Sequence, residues 1–166
     1  HCIPKDPWLL AYGAQGKVSL KAILAARAVN DNMPIHMADL TVDALTDVGK
    51  SLKGARVAVL GYAYLEDSDD TRNSPSEILI KYLKTQGAEV IIHDPYVPEY
   101  QCDLLTCVSG CDAVIVMVAH QAYKSISLED LKFRMNSPVL IDGRQVFNSH
   151  KVHQIGFVYR GIGQGQ

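Results

Sequence analysis

The sequence predicts an α/β protein in which a parallel sheet carries helices on both faces and a long helix comes first. Three observations predict it. From Lys53 onward, short uninterrupted Val/Ile runs alternate with segments of helical pattern, as expected of strands buried on both faces by crossover helices. The segment SPSEILIKYLKTQG, between the first two runs, has both the start and the stop signals of a helix. Before Lys53 the apolar residues recur at helical spacing instead.

Each element follows in order. HCIPKDPWLL opens the chain, and Pro4 and Pro7 predict an extended or turned loop rather than a helix interior. Cys2 and Asp6 are then presented from a constrained loop, where reactive groups are commonly carried. The plain alternative is a frayed terminus with a small buried thiol. The stretch shows neither the apolar run nor the positively charged region of a signal peptide. Next, Val18, Ile23, Leu24, Ala28 and Val29 form one stripe, and Ile35, Met37, Leu40 and Leu45 begin a second. Asn30-Asp31-Asn32 and Pro34 lie between them. That fits either a kinked long helix or two helices end to end, with Asp31 or Asn32 capping the second. A partner subunit or a further domain is expected to cover this helix, because the later segments already supply helices to the sheet; packing on the chain's own sheet is the plain alternative.

RVAVLGYAY is the first strand. SPSEILIKYLKTQG follows as a helix, with Ser74 as N-cap, Pro75 at the first helical position, Glu77 three after the cap and Gly87 at the end. EVIIHDP is the second strand, CDLLTCVSG a short helix, AVIVMVA the third strand and SLEDLKFRM a helix. VLIDGR is the fourth strand, HKVHQIG a weak helix and FVYRGIG a last short strand, with YRGIGQGQ expected to fray. The pattern is Rossmann-like, and ligands on such sheets sit at the carboxyl ends of the strands.

Composition narrows the function classes. The chain has 166 residues, 48% hydrophobic and 20% charged, enough for one well-buried core. Its formal charge of -2 gives no global field for nucleic acid or an anionic membrane surface. No stretch approaches the ~20 apolar residues of a membrane span. A soluble, cytoplasmic protein is expected. Four cysteines, Cys2, Cys102, Cys107 and Cys111, are expected to be reduced. CDLLTCVSGC lacks paired zinc spacing, so no metal is predicted; small residues on a packed helix explain its cysteines more simply.

The loop after the first strand, GYAYLEDSDDTRNSPSE, has Gly61 alone where a G-x-G-x-x-G fingerprint would stand. It is poorly equipped to wrap a pyrophosphate unaided. Tyr62 and Tyr64 offer aromatic faces, the helix start at 74–77 offers free N–H groups, and Arg72 offers a fork for phosphate or carboxylate. The acidic run reads as a solvated turn, with pairing of Arg72 to Asp69 or Asp70 as its plain alternative. Asp142 and Arg144 straddle Gly143 at the end of the fourth strand, where a glycine lets a ligand approach the backbone; a surface ion pair is the plain alternative for Arg144. His36, His93, His120, His150 and His153 share no spacing and read as structural or surface residues.

HCIPKDPWLL, ARAVNDNMP, VAVLGYAYLEDSDDTRNSP, HDPYV and LIDGRQVFN, in that order over nearly the whole chain, resemble the UDP-glucose/GDP-mannose dehydrogenase family. The resemblance implies two regions: residues 1–50, the catalytic-cysteine loop and a central dimerisation helix, and residues 51–166, a Rossmann-like UDP-sugar-binding domain. A glycine-rich NAD domain is expected ahead of the cysteine, and the piece alone is not expected to turn over. The implied reaction is oxidation of a UDP-sugar C6 alcohol to the uronate, with NAD as cofactor, a homodimer as assembly and a cysteine thiohemiacetal and thioester as intermediates. Cys2 matches the nucleophile and Asp6 the aspartate that assists proton transfer and water activation. Lys5 is the neighbouring positive charge that would favour a thiolate. Tyr64 matches an aromatic that contacts substrate, Arg144 a substrate-binding arginine and Arg72 an arginine facing NAD. Leu65 departs from the lysine of many UDP-glucose enzymes, so a charged contact with substrate is lost there. HCIPKDP resembles the branch acting on UDP-N-acetylhexosamines, notably UDP-N-acetylmannosamine; the UDP-glucose branch more often has serine before the cysteine. UDP-glucose dehydrogenase remains the alternative, as does a non-catalytic nucleotide-sugar-binding or dimerisation module.

Overall fold

Five apolar runs form five parallel strands: β1 (Arg56–Leu60), β2 (Glu89–His93), β3 (Ala113–Val116), β4 (Val139–Asp142) and β5 (Val158–Gly161). They are ordered β2-β1-β3-β4-β5 in a computed structural model that describes residues 2–14 and 17–164. In register, Leu60 pairs with His93 and Val116, Val116 with Asp142, and Asp142 with Gly161, so the carboxyl ends of all five strands share one edge. The chain reverses direction across the sheet between β1 and β3, the place where such folds open a ligand crevice.

The helices are α1 (Cys2–Gly13), α2 (Lys21–Asp47), α3 (Pro75–Thr85), α4 (Leu104–Cys107), α5 (Gln121–Lys124), α6 (Leu128–Arg134) and α7 (Ser149–Ile155). Ser74 caps α3 by accepting from the Ser76 N–H, and Asp103, Ser127 and Asn148 cap α4, α6 and α7 in the same way. Val57, Val59, Ile115 and Ile141 face α2 and α3. Ala58, Leu60, Val114, Val116 and Leu140 face Tyr123, Leu131, Val152 and Phe157 on the other side.

Several expectations need correction. The opening segment is helical. Pro4 falls in the first turn, where no intrahelical donor is needed. Pro7, farther in, leaves the Ile3 carbonyl without its helical donor, and Arg27 Nη1 donates to that oxygen at 3.1 Å instead. A side chain 24 residues away from Ile3 thus supplies the missing bond.

Residues 21–47 form a single helix through Pro34. Asn30 and Asp31 bind Arg27 rather than cap anything. The second stripe packs on the chain's own sheet, burying Met37, Ala38, Ala44 and Leu45. The strand order explains this. Only the β1–α3–β2 connection runs one way from β1, so right-handed crossovers leave α3 alone on that face, and α2 must cover the rest. Val18 and Val29 stay exposed, as do Ile3, Trp8, Leu9, Leu10 and Tyr12 of α1.

Cys102 and Cys107 are joined by a disulfide, with their Cα atoms 6.7 Å apart, and are not the reduced thiols expected. The turn capped by Asp103 brings them together. Cys111 lies beyond α4, buried and free, while Cys2 is exposed and free. Tyr159, Arg160 and Gly161 pair with β4 and are not part of a frayed tail. Gly165 and Gln166, like His1 of the opening motif, lie outside the described residues. Among the described residues, no helix is long and apolar enough to cross a membrane.

Candidate functional site

The site is built on the loop that leaves β1. Gly61 has φ 95° and its N–H bonds the His93 carbonyl at 2.8 Å. A Cβ there would lie 2.5 Å from Val118 Cβ. This lone glycine therefore serves a close passage of two backbones, not a phosphate cradle.

The next two residues are held by Asp94, which is fully buried just past β2. Its Oδ2 accepts the N–H groups of Tyr62 and Ala63 at 2.7 and 2.8 Å. Its Oδ1 accepts those of Tyr96 and Val97 at 2.9 and 3.2 Å. The Asp67 N–H donates to His120 Nδ1 at 2.9 Å, leaving the ring proton on Nε2, 3.1 Å from Asp94 Oδ2. Burial alone would push the Asp94 carboxyl up, but the bonds from His120, Ala63, Tyr96 and Tyr62 outweigh it and hold the carboxyl well below the usual range. Tyr62 is not an open face; its ring packs on Tyr100, centroids 4.8 Å apart. Tyr64 follows, its N–H bonded to the Asp70 carbonyl at 2.7 Å.

Tyr64 walls a cavity of about 260 Å³ at the carboxyl edge between β1 and β3. Arg144, Met117, Ser76 and, from α2, Asn30 and Met33 also line it. A second cleft of about 320 Å³ shares Asn30, Tyr64 and Arg144 and adds Leu65, Arg27 and the first turn of α1 through Ile3 and Pro4. The structure thus brings Tyr64, Leu65 and Arg144 together.

Other candidates fall differently. The α3 start does not offer free N–H groups: Pro75 has none, the Ser76 N–H bonds Ser74 Oγ and the Glu77 N–H bonds the Ser74 carbonyl. Ser76 Oγ in turn donates to the Gly61 carbonyl at 2.8 Å. Gly143 lines the first cavity with its backbone, and a Cβ there would lie 2.9 Å from Met37 Cε. Asp142 is fully buried and shapes the turn by accepting the N–H groups of Arg144 and Phe147 at 3.0 and 2.9 Å. Arg144 itself reaches Glu66 at 3.3 Å and is half exposed. Arg72 lies outside both cavities and pairs with Asp70 at 2.6 Å, holding that carboxyl down to about 2. Cys2, Lys5 and Asp6 are exposed and line neither cavity, and Lys5 Nζ sits 3.7 Å from Asp6 Oδ1. His120 and His93, for which the sequence leaves structural and surface roles open, are both buried.

Residues 58–149, more than half of the chain, match the UDP binding domain of the UDP-glucose/GDP-mannose dehydrogenase family. The chain belongs to this family. The matched span contains Tyr64, Asp94 and Arg144, the groups that build and wall the cavity. The UDP-N-acetyl-D-mannosamine dehydrogenase of Pyrococcus horikoshii is 38% identical over 99% of the chain. The UDP-glucose 6-dehydrogenase of Bacillus subtilis is 30% identical over 98%. The NDP-N-acetyl-D-galactosaminuronic acid dehydrogenase of Methanosarcina mazei superposes with a TM-score of 0.91, at 40% identity over 99% of the chain. The chain spans 37–38% of the length of these three relatives. Among the polar groups that shape the site, Asp94 and Arg27 have no role legible from local sequence pattern. Their signals were the HDP at the end of β2 and the ARAVND of α2, family motifs without an evident local purpose.

Proposed function

We propose that this family member is the carboxy-terminal part of an NAD-dependent nucleotide-sugar 6-dehydrogenase that oxidises the C6 alcohol of a UDP-hexose, favouring UDP-N-acetylmannosamine, to the uronate. The observation that carries the reading is the cavity at the carboxyl edge of the sheet, walled by Tyr64 and Arg144 inside the UDP-binding match. The segment bearing Cys2 lies beside it, since Ile3 and Pro4 line the adjoining cleft. Residues 51–166 then bind the nucleotide, and residues 1–50 bring the nucleophile and the dimer contact. Leu65, Ile78 and Ile3 give that cleft an apolar wall suited to an acetamido methyl, and the relatives from P. horikoshii and M. mazei are both named for N-acetylated sugars.

In this reading Arg144 makes a charge-assisted bond to the nucleotide and Tyr64 packs on the ligand. Cys2 Sγ would add to the C6 aldehyde as a thiohemiacetal, whose C6 hydride would pass to NAD and whose hydroxyl proton would be lost to leave a thioester. Asp6 takes a proton from the water that releases the uronate and frees the thiol. The described residues do not themselves build a dinucleotide site: Val118 fills the space at Gly61, and the α3 start is internally bonded. NAD, the hydride acceptor, is assigned to the part of the longer relatives that this chain does not span. Arg72, exposed on the 61–74 loop, is the contact left for it.

Calorimetry on this chain should show UDP binding without NAD binding. Arg144→Ala should weaken UDP binding by about 1.5–3 kcal/mol; unchanged affinity would place the ligand elsewhere. The exposed apolar residues of α1 and of the first half of α2, among them Trp8, Leu9 and Val29, exceed what scattered surface positions explain, and we assign them to a homodimer contact. Sedimentation should report a dimer, and a strict monomer at high micromolar concentration rejects that assignment.

A further inference from the structure

Among the described residues, Arg27 is the only buried arginine or lysine, 6% exposed. Its guanidinium is fully directed. Nε donates to Asp31 Oδ1 at 3.1 Å, and Nη2 reaches Asp31 and Asn30, both on the next turn of α2. These bonds fix the fork so that Nη1 points at α1, where it donates to the Ile3 carbonyl at 3.1 Å. That oxygen is the acceptor which the N–H of residue 7 would fill in an ordinary helix, and residue 7 is proline. Pro7 opens an acceptor and Arg27 fills it from another element. Ile3 follows Cys2 directly and lines the second cleft together with Arg27, Tyr64 and Arg144.

We infer that Arg27 is a positioning residue that sets the first turn of α1, and with it Cys2, against the substrate cleft by donating to the carbonyl that Pro7 leaves unbonded. The inference rests on the reading of Cys2 as nucleophile. Arg27 acts through the backbone of Ile3 and takes no part in bond making.

The pairing of a missing donor with a distant one supplies its own test. In Arg27→Ala, hydrogen exchange should show the amides of α1 losing protection by about tenfold or more. In the full-length enzyme kcat should fall about 10–100-fold, as expected for a displaced reacting group, while KM for the UDP-sugar stays within about twofold. Arg27→Ala combined with Pro7→Ala should recover both, because the alanine N–H now serves Ile3 from within the helix. A merely structural arginine would show no such rescue. Arg27→Lys, which reaches one partner but not all three, should fall between and carries the test if Arg27→Ala folds poorly. Unchanged α1 protection in Arg27→Ala, or no recovery in the double variant, overturns the inference. Full activity of Cys2→Ser with the protection and rescue pattern intact would overturn the role of Cys2 while supporting the hold of Arg27 on α1.

Discussion

Asp94→Asn should lower the thermal midpoint by roughly 6–20 °C, the equivalent of about 3–5 kcal/mol for breaking a buried hydrogen-bonded pair in a chain of this size. The substitution is nearly isosteric, so the cost is one of donors and acceptors. Both Asp94 oxygens are engaged only as acceptors, Oδ2 from Tyr62, Ala63 and His120, and Oδ1 from Tyr96 and Val97. An amide turns one of those oxygens into an N–H₂ facing other N–H groups. Two or three buried donors then lose their partner, and the loop that carries Tyr64 loosens with them. UDP affinity should fall alongside stability.

The effect also has a pH signature. The folded carboxyl is held below its ordinary range, so its contribution is fully present above the unfolded value near about 4 and is lost as pH falls from there toward the folded value. The wild type should therefore lose more stability than Asp94→Asn between pH 7 and pH 3. Urea melts of both proteins at the two pH values check this. A gap between them that stays constant across that interval would mean that Asp94 is not the charged centre of the loop.

The sheet was legible because its strands are buried on both faces, and Val57, Val59, Ile115 and Ile141 need no alternation to be recognised. The place of Tyr64 and Arg144 was legible for the same reason, since each closely follows a strand end. What local patterns could not show depends on partners far apart in sequence. Pro7 sits inside a helix where Arg27 supplies the donor it removes, and no local rule for proline contains that information. Gly61 and Gly143 stood out as glycines in loops, but their reasons are Val118 and Met37, contacts of the folded chain. The second stripe of α2 lies on the chain's own sheet, which local helical pattern does not reveal because it does not assign a helix to a face; the strand order decides which face lacks cover. Asp94 sits in a motif that was visible, yet its purpose appears only when five donors from three loops converge on one carboxylate.

On the proposed dehydrogenase reading, Cys2→Ser in the full-length protein should abolish the second oxidation, with uronate formation falling on the order of 10³-fold or more, as removal of a covalent nucleophile does. The four cysteines are not equivalent candidates. Cys102 and Cys107 are tied in a disulfide, and burial pushes the Cys111 thiol up to about 11, which disfavours the thiolate that nucleophilic attack requires. Cys2 is free and exposed, next to Ile3, which lines the second cleft. Serine keeps its shape but ionises only at far higher pH. UDP-sugar binding should survive, because Cys2 lines neither cavity. Asp6→Asn should give the opposite failure. Without its carboxylate the water is not deprotonated, hydrolysis slows, and the acyl group stays on sulfur. Intact-protein mass spectrometry of Asp6→Asn with UDP-sugar and NAD should then find one covalent adduct, and peptide mapping should place it on Cys2. Full uronate production by Cys2→Ser, or an adduct on Cys111, would make HCIPKDP a structural segment, and the exposed thiol at the start of α1 would have no part in the chemistry.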